Sequence, residues 1–305
     1  MLALISGQGR LPEILAQGLA KLGRPHRLCA LQGFRPDGWS GAEVDEFRLE
    51  HLGAFFDRLH LAGVTEVSFA GAVRRPEVDA AAVDAATLPL LARIEAALPQ
   101  GDDATLRAFI ALFEEQGFAV RGVDEIDPKL IPPTGCLSTR QPTHHDISDA
   151  RRGVAIVAAM GQADVGQACV VSGGLALAVE AIGGTDWMLR SLMAHPDELP
   201  HDTSPGRFAL EVVKEMLDMP PDTRPRRNPM LPSGGILVKG PKPGQDRRFD
   251  LPTIGPDTLM LAAECGLDGV VVEAGGIIML KPEQCIDIAN LAGMLLWVRQ
   301  GETGA

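Results

Sequence analysis

The chain alternates between two hydrophobic periods. A short apolar run, MLALIS, gives way after GQGR to LPEILAQGLAKLG, where Leu11, Ile14, Leu15 and Leu19 recur at helical spacing. HRLCALQGF predicts a second strand and VDEFRLEH a third, ahead of a helix in LGAFFDRLHLAG and a buried strand in TEVSFAGAV. TLPLLARIEAAL and ATLRAFIALFEEQG predict two more helices, and FAVRGV a short strand. Strands alternating with helices predict a parallel, Rossmann-like sheet. Pro128, Pro132 and Pro133 in DPKLIPPTGCL mark a linker, so an N-terminal Rossmann-like domain is expected over residues 1–134 and a C-terminal α/β domain over 135–305.

The second half opens on a helix, SDARRGVAIVAAMGQ, and then a hairpin in ACVVSGGLALAVEAIGGTD with Gly173-Gly174 as its turn. Residues 193–232 are rich in Pro, Asp and Arg around one predicted helix, FALEVVKEMLDM. GILVKG predicts a strand, DTLMLAAECG a helix and VVVEAG a strand. PEQCIDIANLAGMLLWVRQ predicts a closing helix.

Composition narrows the function. Apolar residues are 46% of the chain, enough for packed cores, and the net charge is −12 from 28 Lys and Arg against 40 Asp and Glu. That balance argues against nucleic acid as a partner, so any anionic ligand must be met by local cations. Cys29, Cys136, Cys169, Cys265 and Cys285 are scattered without a CxxC pair and read as small buried hydrophobes. The N-terminus lacks a basic leader, and no apolar run approaches the ~20 residues of a membrane span, so a cytoplasmic protein is expected.

Several stretches invite a chemical reading. In GQGRLP, Gly7, Gly9 and Arg10 stand where a strand turns into a helix N-terminus, a place suited to an anion. Pro12 stands where the dinucleotide pattern needs its third glycine, and no acidic residue closes the second strand, which disfavours an NAD-linked oxidoreductase. In AGAVRRP, Gly71 permits close backbone approach, while Arg74 and Arg75 suit either phosphate oxygens or a solvated corner. EAIGGTD places Glu180, Thr185 and Asp186 at a strand end, and GDD at 101–103 suits an N-cap. HHD at 144–146 lacks the patterns of a two-metal phosphoesterase and reads as structural.

The densest motif is VKGPKPGQDRRFDLPTIGPDT. Its prolines exclude a helix, while Lys239, Lys242, Arg247 and Arg248 stand among Asp246, Asp250 and Asp257. Such cations suit a diphosphate, and carboxylates on the same loop suit Mg²⁺. A rigid clamp of internal ion pairs is the structural alternative.

Together and in this order, GQGRLP, GAVRRP, GDDATLR, VGQACVV, AVEAIGGTDWMLR and LVKGPKPGQDRRFDLPTIGPDT resemble the UDP-2,3-diacylglucosamine pyrophosphatase family of lipid A biosynthesis. This is the type unrelated to the calcineurin-like enzyme that does the same job. The resemblance runs from residue 1 to about 300, with residues 195–232 longer than the family leads one to expect. It implies hydrolysis of UDP-2,3-diacylglucosamine to 2,3-diacylglucosamine 1-phosphate (lipid X) and UMP, with Mg²⁺ or another divalent metal. It further implies two domains with the ligand between them and a homodimer in which domains can be exchanged. Asp246, of the GQD triplet, matches the residue whose loss the family tolerates worst.

On that reading Asp246, Lys242 and Arg248 are the expected catalytic residues, and Asp246 and Asp250 the expected metal ligands. Lys239, Gln245, Thr253, Thr185 and Asp186 would bind substrate beside Gly7, Gly9, Arg10, Gly71, Arg74 and Arg75, the N-terminal set taking the nucleotide. The lipid-linked UDP-sugar requires transient contact with the cytoplasmic face of the inner membrane. The rival from another class is a nucleotide-sugar binding module that never cleaves its ligand.

Overall fold

A computed structural model describes residues 1–73, 76–194, 226–249 and 251–301. The chain divides into two compact units, each with its own sheet. The first comprises Met1–Pro132, Pro243–Thr253 and Gly275–Leu280; the second comprises Pro133–Lys242, Ile254–Ala274 and Lys281–Ala305.

In the first unit β1 (Leu2–Ser6), β2 (His26–Leu31), β3 (Asp45–Phe47), β4 (Glu66–Ala70) and β5 (Ala119–Val120) form a parallel sheet in the order β3-β2-β1-β4-β5. The expected Rossmann-like arrangement is present, with its order reversing between β1 and β4. The helices are α1 (Leu11–Lys21), α2 (Leu52–Leu61), α3 (Leu88–Ala97), α4 (Asp102–Glu115) and α5 (Val123–Ile126). Strand alternation explains how both faces are covered. Leu2 and Leu4 join Leu11, Leu15 and Leu19 of α1 in one core. Ala3 and Ile5 join Leu52, Phe55 and Phe56 of α2 and Phe113 of α4 in the other. Phe249, Leu251, Ile278 and Leu280 from the two later segments pack into these same cores. The expected side-chain N-cap at GDD is not used: Gly101, at φ +106, occupies that position without a side-chain bond.

The second unit holds β6 (Gly135–Cys136), α6 (His144–Gln162), β7 (Ala168–Ser172), β8 (Leu175–Val179), α7 (Gly184–Arg190), β9 (Met193–Ala194), β10 (Arg226–Arg227) and β11 (Ile236–Lys239). It also holds α8 (Pro256–Glu264), β13 (Gly269–Glu273), α9 (Pro282–Leu291) and β15 (Leu295–Arg299), while β12 (Thr253–Ile254) begins in, and β14 (Ile278–Met279) lies in, the later segments of the first unit. Its six-stranded sheet runs β6-β15-β13-β11-β7-β8, with β11, β13 and β15 parallel and the rest antiparallel to their neighbours. α6 lies close on β11 because Gly153 has no side chain; a Cβ there would stand 2.4 Å from Val238 Cγ2. At the predicted hairpin Gly173 and Gly174 have φ of +58° and +80°, and both their N–H groups donate to Asp149.

Two further expectations change. The closing segment is not one helix: α9 stops at Leu291, Gly293 turns left-handed at φ +65, and Leu295–Arg299 is a strand paired with β13. The Met294 N–H reaches back to Ala289 O at 2.8 Å, as helix-ending glycine turns do, and Leu295, Leu296 and Val298 are fully buried. Thr185 and Asp186 lie in the first turn of α7 rather than on a strand end. The predicted helix at FALEVVKEMLDM lies outside the described residues. HHD forms the first turn of α6, where Thr143 and Asp146 cap each other reciprocally. No disulfide joins the five cysteines, and burial pushes the Cys29 and Cys169 thiols up to about 12, as expected of structural cysteines.

Candidate functional site

The glycines of the two N-terminal motifs meet each other. Where β1 and β4 end side by side, Gly7 N donates to Ala70 O, while Gln8 and Ala72 exchange both backbone bonds, all at 2.8 Å. A Cβ on Gly7 would stand 2.3 Å from Ala72 O, and one on Gly71 would stand 2.6 Å from Gln8 O. The crossing thus accounts for both glycines before any ligand is invoked. Gly9 (φ +104) has open space around it, and Arg10 occupies the N-cap of α1. Gly7, Gly9, Arg10 and Gly71 therefore gather at the sheet's reversal point, where open α/β sheets bind ligands. Arg74 and Arg75 lie outside the described residues. Gly71→Ala combines a positive φ (+87°) with the clash, and should cost at least ~2 kcal/mol in urea unfolding against ~1 for Gly9→Ala.

In the second unit the polar groups collect at one sheet edge. Lys239 ends β11 and Glu273 ends β13, both at the carboxyl ends of parallel strands. Ala168, which starts β7, pairs with Lys239, and Glu180 just past β8 donates its N–H to Ala168 O at 2.8 Å. Lys239 is buried, with Nζ donating to Thr185 Oγ1 at 2.8 Å, and Thr185 Oγ1 donating to Glu180 Oε1 at 2.7 Å. Burial lowers the Lys239 pKa, while Glu180 and then Asp186 pull it back up. Lys242 pairs with Asp164, a non-glycine residue at φ +51. Four expected residues, Thr185, Asp186, Lys239 and Lys242, are thus brought to one edge.

The stretch Pro243–Thr253 of the proline-rich motif belongs to the first unit. Arg248 wraps Asp246 by its backbone N–H (3.0 Å), Nε (3.0 and 3.1 Å) and Nη2 (2.6 Å), and its Nη1 donates to Glu114 Oε1 on α4 at 2.7 Å. The Arg248 bonds hold the Asp246 carboxyl below the usual carboxylate range, while Asp246 and then Glu114 push the Arg248 pKa up. Gln245 is buried and Thr253 half-buried on the same segment, and Asp250 lies outside the described residues. Among the described residues no group of three or more His, Cys, Asp or Glu could hold a metal by itself. One carboxylate completed by phosphate oxygens and water does suit Mg²⁺, and Asp246 could supply it on release from Arg248.

Two residues matter here that the motifs did not point to, Asp164 and Glu114, and Glu180 of the EAIGGTD stretch joins them as the partner of Thr185. Glu114 and Arg248 are 134 residues apart, and Asp164 and Lys242 are 78 apart. A pH experiment isolates the Arg248 effect. Because the folded Asp246 pKa is depressed, its stabilisation is present above the ordinary carboxylate value and is lost as pH falls through the lowered one. Arg248→Met should erase that acid-side loss of stability and raise the acid limb of any Asp246-dependent activity toward about pH 4.

Fold and chemistry together define a class: an α/β protein of two units, each gathering anion-suited groups at the carboxyl ends of its strands. Family models match both halves, the LpxI N-terminal domain over residues 1–130 and the LpxI C-terminal domain over residues 133–297. The chain is similar to UDP-2,3-diacylglucosamine pyrophosphatase LpxI of Caulobacter vibrioides, with 35% identity over 298 residues covering 97% of this chain and 96% of that protein. The chain belongs to the LpxI family.

Proposed function

We propose that this protein hydrolyses UDP-2,3-diacylglucosamine to 2,3-diacylglucosamine 1-phosphate and UMP in lipid A biosynthesis. The observation that carries the reading is end-to-end similarity to a pyrophosphatase of that name, through both family domains. Water adds to one phosphorus of the diphosphate, the P–O–P bridge breaks, and the bridging oxygen leaves with the other phosphate.

The substrate-binding reading uses Lys239, Lys242, Thr185 and Asp186 at the edge of the second sheet, and Gly7, Gly9, Arg10 and Gly71 for the nucleotide. Around Arg248 two carboxylates, Asp246 and Glu114, pair with the guanidinium, and Arg107 adds a second positive charge near Asp246. Mg²⁺ in the proposal would neutralise a diphosphate brought beside Asp246. A homodimer, with exchange of domains as a variant, and passing contact with the cytoplasmic face of the inner membrane complete it. Among the described residues no helix is long and apolar enough to cross a membrane.

The test is incubation with UDP-2,3-diacylglucosamine and Mg²⁺, with and without chelator, scoring UMP and the sugar 1-phosphate. UMP in the Mg²⁺ arm alone is the expected result. Substrate bound but intact in every arm would establish the binding-module rival, and UMP undiminished by chelator would remove the metal.

A further inference from the structure

Glu180 has no part in the scheme above, yet the structure builds a socket around it. Its N–H donates to Ala168 O at 2.8 Å, and its Oε2 accepts from Gln167 N–H at 3.0 Å. A Cβ on Gly166 would stand 2.3 Å from Glu180 O, so glycine is needed there for this approach. Oε1 accepts from Thr185 Oγ1 at 2.7 Å, and the same hydroxyl oxygen accepts from Lys239 Nζ at 2.8 Å.

The three residues Glu180, Thr185 and Lys239 are 7%, 8% and 8% exposed. A hydroxyl has one proton, and Thr185 gives it to Glu180, so a lone pair is what faces Lys239. The direction of the chain is therefore fixed. A buried carboxylate–hydroxyl–ammonium chain is costly to assemble and holds its members to one geometry only when each is satisfied. Lys239 ends a parallel strand next to the neighbouring strand end at Glu273, the edge at which such sheets present groups to ligands.

We infer that Glu180 is a positioning residue that acts through the Thr185 hydroxyl to aim the Lys239 ammonium at the substrate diphosphate. The inference rests on the hydrolase reading for its ligand, and on the hydrogen-bond chain for its geometry. Glu180 itself touches no reacting atom. The carboxylate supplies orientation, and Lys239 supplies the charge that the leaving phosphate meets.

The experiment compares Glu180→Gln, Thr185→Val and Thr185→Ser with the wild type on UDP-2,3-diacylglucosamine and Mg²⁺, at a temperature where each is folded. Thr185→Val and Glu180→Gln should lower kcat about 10- to 100-fold with KM within about threefold, whereas Thr185→Ser, which keeps the hydroxyl, should stay within about threefold of wild type. Lowered melting temperature with wild-type kcat in both Thr185→Val and Glu180→Gln would reduce the chain to a structural role and overturn the inference. If Thr185→Val does not fold, Glu180→Gln alone decides, since it keeps shape and one acceptor. Wild-type enzyme that releases no UMP would defeat the hydrolase reading instead. Acetylation of Lys239 by acetic anhydride, read by mass spectrometry, still judges the geometry in that case: protection in wild type and at least about tenfold faster labelling in Glu180→Gln is expected for a group released from a fixed site, and equal rates would overturn it.

Discussion

Asp246→Asn should remove nearly all UMP release while leaving the fold almost untouched. The two effects separate because Asp246 is held at a half-exposed surface rather than in a core. Its side chain is 24% exposed and its partner Arg248 is 42% exposed, a setting in which an ion pair contributes at most about 1 kcal/mol. Asparagine keeps an oxygen for the Arg248 N–H, now accepted by Asp246 Oδ1 at 3.0 Å, so the turn survives. What disappears is the negative charge that Arg248 wraps from three donor groups. Under the proposed reaction that charge is what holds Mg²⁺ or polarises the attacking water. Removing a group in either role costs on the order of 10²- to 10⁴-fold in kcat. Steady-state UMP release and urea unfolding on the same preparation check both halves. A variant keeping a tenth of wild-type turnover would move Asp246 from the chemistry to the loop.

Much of the first unit could be read from the chain because each element there announces itself locally. MLALIS and LPEILAQGLAKLG differ in hydrophobic period, and the structure makes them β1 and α1. Gly173-Gly174 between two apolar runs similarly became a hairpin turn. The end of the chain misled for a physical reason. LLWVR follows a helical pattern and is too short to show a period of its own, so only Gly293 marks the break.

The site was legible in its residue types and illegible in its pairings. Lys242 and Arg248 stand out as cations in one motif, but nothing local shows that Asp164 and Glu114 hold them from far along the chain. Gly7 of GQGR and Gly71 of AGAV looked like parts of a cradle for phosphate. Their first duty in the fold is to let two strand ends cross at hydrogen-bonding distance, a requirement that exists only once β1 and β4 are neighbours.

Lys239→Met should be costly to both activity and stability, and the double variant reveals why. The ammonium is buried and bonded to Thr185, with Glu180 and Asp186 near enough to favour its charge. Methionine fills similar volume but leaves Glu180 buried with its cation gone, and breaking one side of such a pair costs about 3–5 kcal/mol. Adding Glu180→Gln removes the stranded charge, so the double variant should regain part of the stability, which measures the coupling. Activity should not return, because the cation is still absent from the strand end. The pH dependence carries an independent sign. The folded Lys239 pKa lies below the ordinary lysine value, so between the two the unfolded chain binds more protons and stability rises with pH. Subtracting the Lys239→Met profile from that of wild type should therefore leave a stability difference that grows on the alkaline side up to about pH 10. A flat difference would mean that Lys239 titrates as it does in water, against the burial of its side chain.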